Sequence, residues 1–282
     1  MSRRPVLWTL ALALTLASAV YQRRTGPTYP VSGKVVLGGE EIKLKLTRSH
    51  GGEGDQPVTV PAKDPAVSAE VGWRRFPTND PISWLPMARQ GDVLTASLPH
   101  QPPAGKLEYQ VRVVRGAEAV IFPPKPAVTR FKGDVTTAVL IPHVFCMFTG
   151  MLLSTAAGLF ALAKDAGART IARVTLGIFF VGGLILGPIV QKQAFGDFWT
   201  GIPWGWDLTD NKTLIAVVTW VVAVIAVRGG RQARGAILLA TVATLFVFAI
   251  PHSTWGSEIR WQDHPASSPA ATSAPSEATG KH

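Results

Sequence analysis

The pattern of apolar and polar positions divides the chain into four stretches. Residues 1–20 open with Arg3 and Arg4, run apolar over 6–17, and end in Ala17, Ser18 and Ala19. This is the order of a secretory signal peptide cut after Ala19. The run is shorter than the roughly 20 apolar residues of a spanning helix. Two readings therefore stand, a cleaved signal and an N-terminal membrane anchor, and both put residue 27 onward outside the cytoplasm. Over 27–132 the pattern changes to short segments that alternate or are rich in branched residues, at 32–37, 41–47, 67–76, 93–98 and 107–114. They are separated by Gly38-Gly39, Gly51-Gly52, Pro102-Pro103 and Pro123-Pro124. Short strands at about ten-residue spacing with turn signals between them predict a β-sandwich of immunoglobulin-like type. The Cys–Trp–Cys core of true immunoglobulin domains is absent.

Four apolar segments follow, at about 135–163, 171–190, 213–227 and 236–250. Lipid offers backbone groups no hydrogen-bond partner, so each segment must be a helix. The predicted fold class is thus a membrane α-helical bundle of four core transmembrane helices over 135–256, with the N-terminal signal or anchor helix and the extracytoplasmic β-sandwich. Lys164, Arg169 and Arg173 lie between the first two segments, and Arg228, Arg231 and Arg234 between the last two. These basic connections belong in the cytoplasm. The loop 191–212 then faces outward with the β domain, as does the C-terminal tail. Residues 263–282 are mostly Pro, Ser, Ala and Thr with almost no apolar bulk and cannot bury enough surface to fold, which predicts disorder. The setting is the inner membrane of a bacterial-type cell.

Composition sharpens this picture. Hydrophobic residues make up 47% of the 282 and charged residues only 16%, against about 25% in soluble domains. The net charge of +10 would suggest nucleic acid in a soluble protein. Here much of the basic excess flanks apolar segments, so it reads as membrane topology and no nucleic-acid partner is expected. One cysteine, Cys146, excludes an internal disulfide, a Cys-x-x-Cys redox motif and covalent haem attachment.

Candidate chemistry gathers at the outer face. His143 and His252 each follow Ile-Pro at opposite ends of the four-helix unit, and four crossings return them to one side. Between them lies the aromatic loop 195–207 with Trp199, Trp204, Trp206 and Asp207. Two neutral imidazoles at one depth suit the axial positions of a haem iron. The indoles offer flat surfaces for the macrocycle, Gly196, Gly201 and Gly205 let backbone lie close, and Lys192, Lys212 or Arg260 would meet the propionates. Each feature also has a plainer reading. Single histidines and tryptophans are common at membrane interfaces, Pro before His marks a helix end, and Gly183-x-x-x-Gly187 suits a close helix contact. A copper site at Cys146 and Met147, or a hard-metal site at Asp207, Asp210 and Glu258, has no supporting ligand spacing.

The order His, two helices, aromatic loop, two helices, His over about residues 138–256 resembles the tryptophan-rich (WWD-type) haem-handling proteins of cytochrome c assembly. The resemblance is carried by 195–199, Phe-Gly-Asp-Phe-Trp, by Trp206-Asp207, and by the helix from Lys212 to Trp220. Phe195 stands where that family has its leading Trp, and 200–205 interrupt the loop. The resemblance implies a non-covalent b-type haem, His143 and His252 as its iron ligands, and Trp199, Trp206 and Asp207 as its contacts; Trp204, inside the interruption, is a candidate contact from the aromatic loop alone. Two functions are then expected: a haem-binding or haem-presenting protein related to cytochrome c maturation, or a non-catalytic structural or assembly subunit that docks through its β domain. Neither requires catalysis. The expected partners are membrane lipid and other membrane or extracytoplasmic proteins, a cytochrome or respiratory complex among them.

Overall fold

The computed structural model describes residues 3–228, 233–251, 259 and 261. The expectations for His252, Glu258, Arg260 and the tail from 263 concern residues outside that set. The first helix, α1 (Arg4–Thr25), continues past the apolar run and is packed against the other helices. Trp8 meets Phe160 edge-on at 5.8 Å between ring centroids. At its start Arg4 Nε donates to Asp165 at 2.9 Å. Much of its remaining surface is apolar and exposed, including Val6, Leu10, Leu12, Leu14 and Leu16, as expected of a helix bathed in lipid.

The β region begins with a hairpin of β1 (Val31–Leu37) and β2 (Glu40–Leu46), paired from Leu37↔Glu40 to Val31↔Leu46. Its two-residue turn needs positive φ at both positions, supplied by Gly38 (+54°) and Gly39 (+83°). A five-stranded sheet runs β3 (Ser49–Gly51), β10 (Glu118–Lys132), β9 (Lys106–Arg115), β5 (Val67–Arg75), β6 (Ser83–Pro86). A three-stranded sheet runs β4 (Gln56–Pro61), β8 (Val93–Leu98), β7 (Ala88–Gln90). All three sheets share one core that includes Leu37, Leu46, Val60, Leu98, Val111 and Phe131. Inside it, the Tyr109 hydroxyl donates to the Thr47 carbonyl at 2.6 Å, and burial pushes its pKa up to about 12. In β10 the pairing slips between Phe122 and Ala127. Pro123, Pro124 and Pro126 fall there, and a proline cannot donate to the ladder.

The bundle follows: α2 (Thr137–Leu162), α3 (Gly167–Phe179), a π-helical turn (Phe180–Leu186), α4 (Gly187–Phe195), α5 (Leu208–Arg228) and α6 (Arg234–Ala249). The segment Gly167–Phe195 is one continuous rod. With α1, α2 and α5 it makes four helices long and apolar enough to cross a membrane. The shorter α6 has 16 residues, about 24 Å at 1.5 Å per residue, less than the roughly 30 Å of a hydrocarbon core.

Small residues set the helix contacts. A Cβ on Gly150 would come within 2.8 Å of the Phe179 ring, and one on Gly158 within 2.5 Å of Thr241. Between α5 and α6, the fully buried Trp220 donates its indole N–H to Thr244 Oγ1 at 2.9 Å. Thr241 Oγ1 on α6 donates to the Ser154 carbonyl on α2 at 3.0 Å. The first and last helices of the four-helix unit therefore lie side by side.

The β region is tied to one end of this bundle. The Gly133 N–H donates to the Ala194 carbonyl at 2.9 Å, and Thr136 donates through N and Oγ1 to Gln193 Oε1 at 2.8 and 3.1 Å. Arg130 lies over the Phe195 ring, 5.4 Å from its centroid. Beyond α6, Trp261 returns to the β region, donating to the Phe76 carbonyl at 3.0 Å beneath the Arg75 guanidinium. The β region, the loop after α4 and the end of α6 thus share one end. The start of α1 and the turn between α2 and α3 share the other, joined by the Arg4–Asp165 pair.

Candidate functional site

At the β-region end, the helices and the loop enclose a cavity of about 190 Å³, bordered among others by Arg130, His143, Gln191, Asp207, Asp210 and Thr213. His143, nearly two turns inside α2, is fixed by the neighbouring rod. Its Nδ1 lies 2.9 Å from the Gly182 carbonyl oxygen. A carbonyl can only accept, so Nδ1 carries the proton, and in the neutral ring Nε2 is then an open acceptor. Gly182 and Gly183 are clamped on both sides within the π turn. A Cβ on Gly182 would stand 2.6 Å from Cys146 Cβ on α2, and one on Gly183 2.6 Å from Thr213 Cγ2 on α5. Turns of this kind recur at functional sites. Gly187 passes by the His143 ring, so the Gly183-x-x-x-Gly187 spacing does mark close helix contact.

The loop before α5 is organised by that helix's first turn. Asp207 caps it, its Oδ1 accepting from Thr209 N at 2.7 Å. Asp210 is 6% exposed. Its Oδ2 accepts from Thr200 N at 2.7 Å, Gly201 N at 3.0 Å and Gln191 Nε2 at 3.0 Å. Asn211 Oδ1 accepts from Ile202 N at 2.8 Å. These bonds fold the loop back over the helix start. Gly201 and Gly205 serve this folding: a Cβ would meet Asp210 at 2.6 Å from the first and the Thr200 carbonyl at 2.3 Å from the second.

The residues picked from the sequence distribute unevenly. His143 and Asp207 border the cavity. Trp199 is half-buried, with its indole N–H given to the Ile202 carbonyl at 3.1 Å. Trp204 and Trp206 are 80% and 85% exposed. Lys212, expected as a propionate partner, is buried at 2% exposure. Its Nζ donates to the Ile250 and Pro251 carbonyls at 2.6 and 3.1 Å, a cation closing the C-terminal end of α6. Lys192 donates to the Gly196 carbonyl and lies over the Phe198 ring. Sequence reasoning did not assign Gln191, Asn211 and Arg130 any part. A signal for Asn211 was present in 207–211, Asp-Leu-Thr-Asp-Asn, which reads as a helix start with acidic residues in its first turn. Arg130 carried no such signal, because it arrives from the β region.

As the described residues border it, this cavity is smaller than the about 300–1,000 Å³ of typical small-ligand pockets, and the described tryptophans do not border it. Among the described residues no three His, Cys, Asp or Glu side chains gather as metal ligands. No protein-family model, no curated protein and no solved structure matches the chain.

Proposed function

We propose that this is a non-catalytic structural or assembly subunit of a membrane protein complex, docking through its β region on the extracytoplasmic side. The observation that carries this reading is the use made of polar groups at the β-region end. Asp207, Asp210, Lys192 and Lys212 are all engaged in holding the loop and helix ends, while Gly133, Thr136 and Arg130 fasten the β region to α4. That is the construction of a rigid mount. In this reading the β region is an immunoglobulin-like sandwich presented on the outer face, and residues 164–173 and 228–234 are cytoplasmic. The protein resides in an inner membrane, with lipid around its helices and membrane or extracytoplasmic proteins as partners.

The test is native gel migration of complexes extracted from membranes in mild detergent. The full chain should run in a large assembly, and a chain lacking residues 27–132 should run as the bundle alone. Identical small species for both would refute the reading.

A second reading, haem binding and presentation of the cytochrome c assembly type, is favoured by the fixed tautomer of His143, which leaves Nε2 open. It requires a b-type haem held by His143 and His252 in a site that extends beyond the cavity. Red, haem-absorbing protein whose spectrum changes on His143→Ala would establish it in place of the first.

A further inference from the structure

The opposite end of the bundle holds a larger cavity, about 450 Å³, between the end of α2, the start of α3 and the start of α6. Among the described residues its border carries Lys164, Arg169 and Arg234 and one carboxylate, Asp165, over apolar Ala168 and Ile237. Asp165 is taken by Arg4, whose hydrogen bond holds the carboxyl below its ordinary range. Arg234 is fixed at the wall by donating to the Ala161 and Leu162 carbonyls at 2.7 and 3.1 Å. Those bonds take two of the guanidinium's five N–H groups. Lys164 ends α2 at φ +60°, a left-handed position where glycine is the usual residue. Lys164 and Arg169 are exposed and have no bonded side-chain partner among the described residues.

We infer that this cavity binds a phosphate-bearing anion, the headgroup of an acidic phospholipid or free phosphate. A volume of 450 Å³ lies in the range of small-ligand sites. Three cations border it, Lys164 just past the end of α2, Arg169 on α3 and Arg234 on α6, and the acid at its border among the described residues is neutralised from outside. Topological sorting needs basic residues only somewhere in the connecting loops; it does not require them to surround a hollow. Basic pockets between spanning helices suit acidic headgroups. Leu162 beside the cavity is 57% exposed, apolar surface against which an acyl chain can lie. The inference is independent of the docking function proposed above.

The test uses the full chain purified in mild detergent, with binding followed by native mass spectrometry. The probes are short-chain phosphatidylglycerol, short-chain phosphatidylcholine and inorganic phosphate. Phosphatidylglycerol should bind saturably and phosphatidylcholine should not. The double variant K164Q/R169Q should weaken phosphatidylglycerol about thirtyfold, at roughly fivefold for each basic residue near a membrane surface. R173Q, on the same end but outside the cavity, should leave it unchanged. Inorganic phosphate binding as well as the lipid, and equally lost in the double variant, would support the site and assign it to a soluble anion. No saturable binding of either anion would overturn the inference. So would unchanged binding in K164Q/R169Q, or equal loss in R173Q. K164R/R169K, which keeps charge and bulk, should retain binding, so loss there as well would mark a folding defect and overturn the assignment.

Discussion

The two ends of the helical bundle use charge in opposite ways. At the β-region end, Asp210 and Lys212 are buried, at 6% and 2% exposure, and their charged atoms are spent on backbone and amide partners. At the other end, Lys164 and Arg169 stand exposed around a hollow. Inward charge acts as a fastener because a buried ion without partners is costly; outward charge around a cavity is available to a ligand. Removing charge at the first end should cost stability, and removing it at the second should cost binding.

The largest effect is expected at Asp210. Asp210→Ala removes the acceptor of Thr200 N and Gly201 N and one of the two acceptors of Gln191 Nε2, at about 1–3 kcal/mol for each buried donor that stays unsatisfied. Thermal unfolding in detergent should fall by several degrees, whereas K164Q/R169Q should leave it nearly unchanged. Asp210→Asn, which keeps one acceptor oxygen, should fall between them.

Next comes Gly183. Gly183→Ala places a methyl 2.6 Å from Thr213 Cγ2, and overfilling a close contact typically costs about 1–3 kcal/mol. Thr213→Ser removes that methyl, so G183A/T213S should recover much of the loss. Equal and additive losses would show that the two residues do not meet.

Lys212→Met should be milder, about 1–2 kcal/mol, from the loss of a cation at a helix C-terminus and its two hydrogen bonds. The smallest effect is alkaline. With the folded Tyr109 at about 12 and an ordinary tyrosine near 10, the neutral phenol favours the folded state. That contribution is complete below about pH 10 and fades as pH rises through about 12. An ultraviolet titration should show this phenol ionising late, and its absence in Tyr109→Phe would identify it.

The helices were legible because lipid permits little else: apolar runs predicted near 135, 171, 213 and 236 appear as α2, the long rod, α5 and α6. Their polar extensions were not legible. The helical ends at Gln191–Phe195 and Leu208–Lys212 lie past the apolar runs and are held by side-chain bonds that hydropathy does not register. The five alternating segments correspond to β1, β2, β5, β8 and β9. β4 and β10 were hidden by Pro57, Pro61, Pro123, Pro124 and Pro126, which demote a segment unless edges or slips in pairing accommodate them. At the site, His143 was legible as a residue but its bond to Gly182 was not, because it depends on a π turn in another helix. The indoles were read as cofactor walls from the loop's place between the helices on the outer face. Trp204 and Trp206 are exposed, in a loop folded by the bonds to Asp210 and Asn211.

The proposed role makes the β-region end of the bundle a mount, and haem binding there is the alternative. The most direct test of that role is the absorbance spectrum of the full chain purified in mild detergent, before and after adding haemin. A mount should show no haem band in the purified protein, and after addition only weak, non-saturable absorption that is the same in wild type and His143→Ala. A saturable low-spin spectrum with one haem per chain, lost or converted to high spin in His143→Ala, would contradict it.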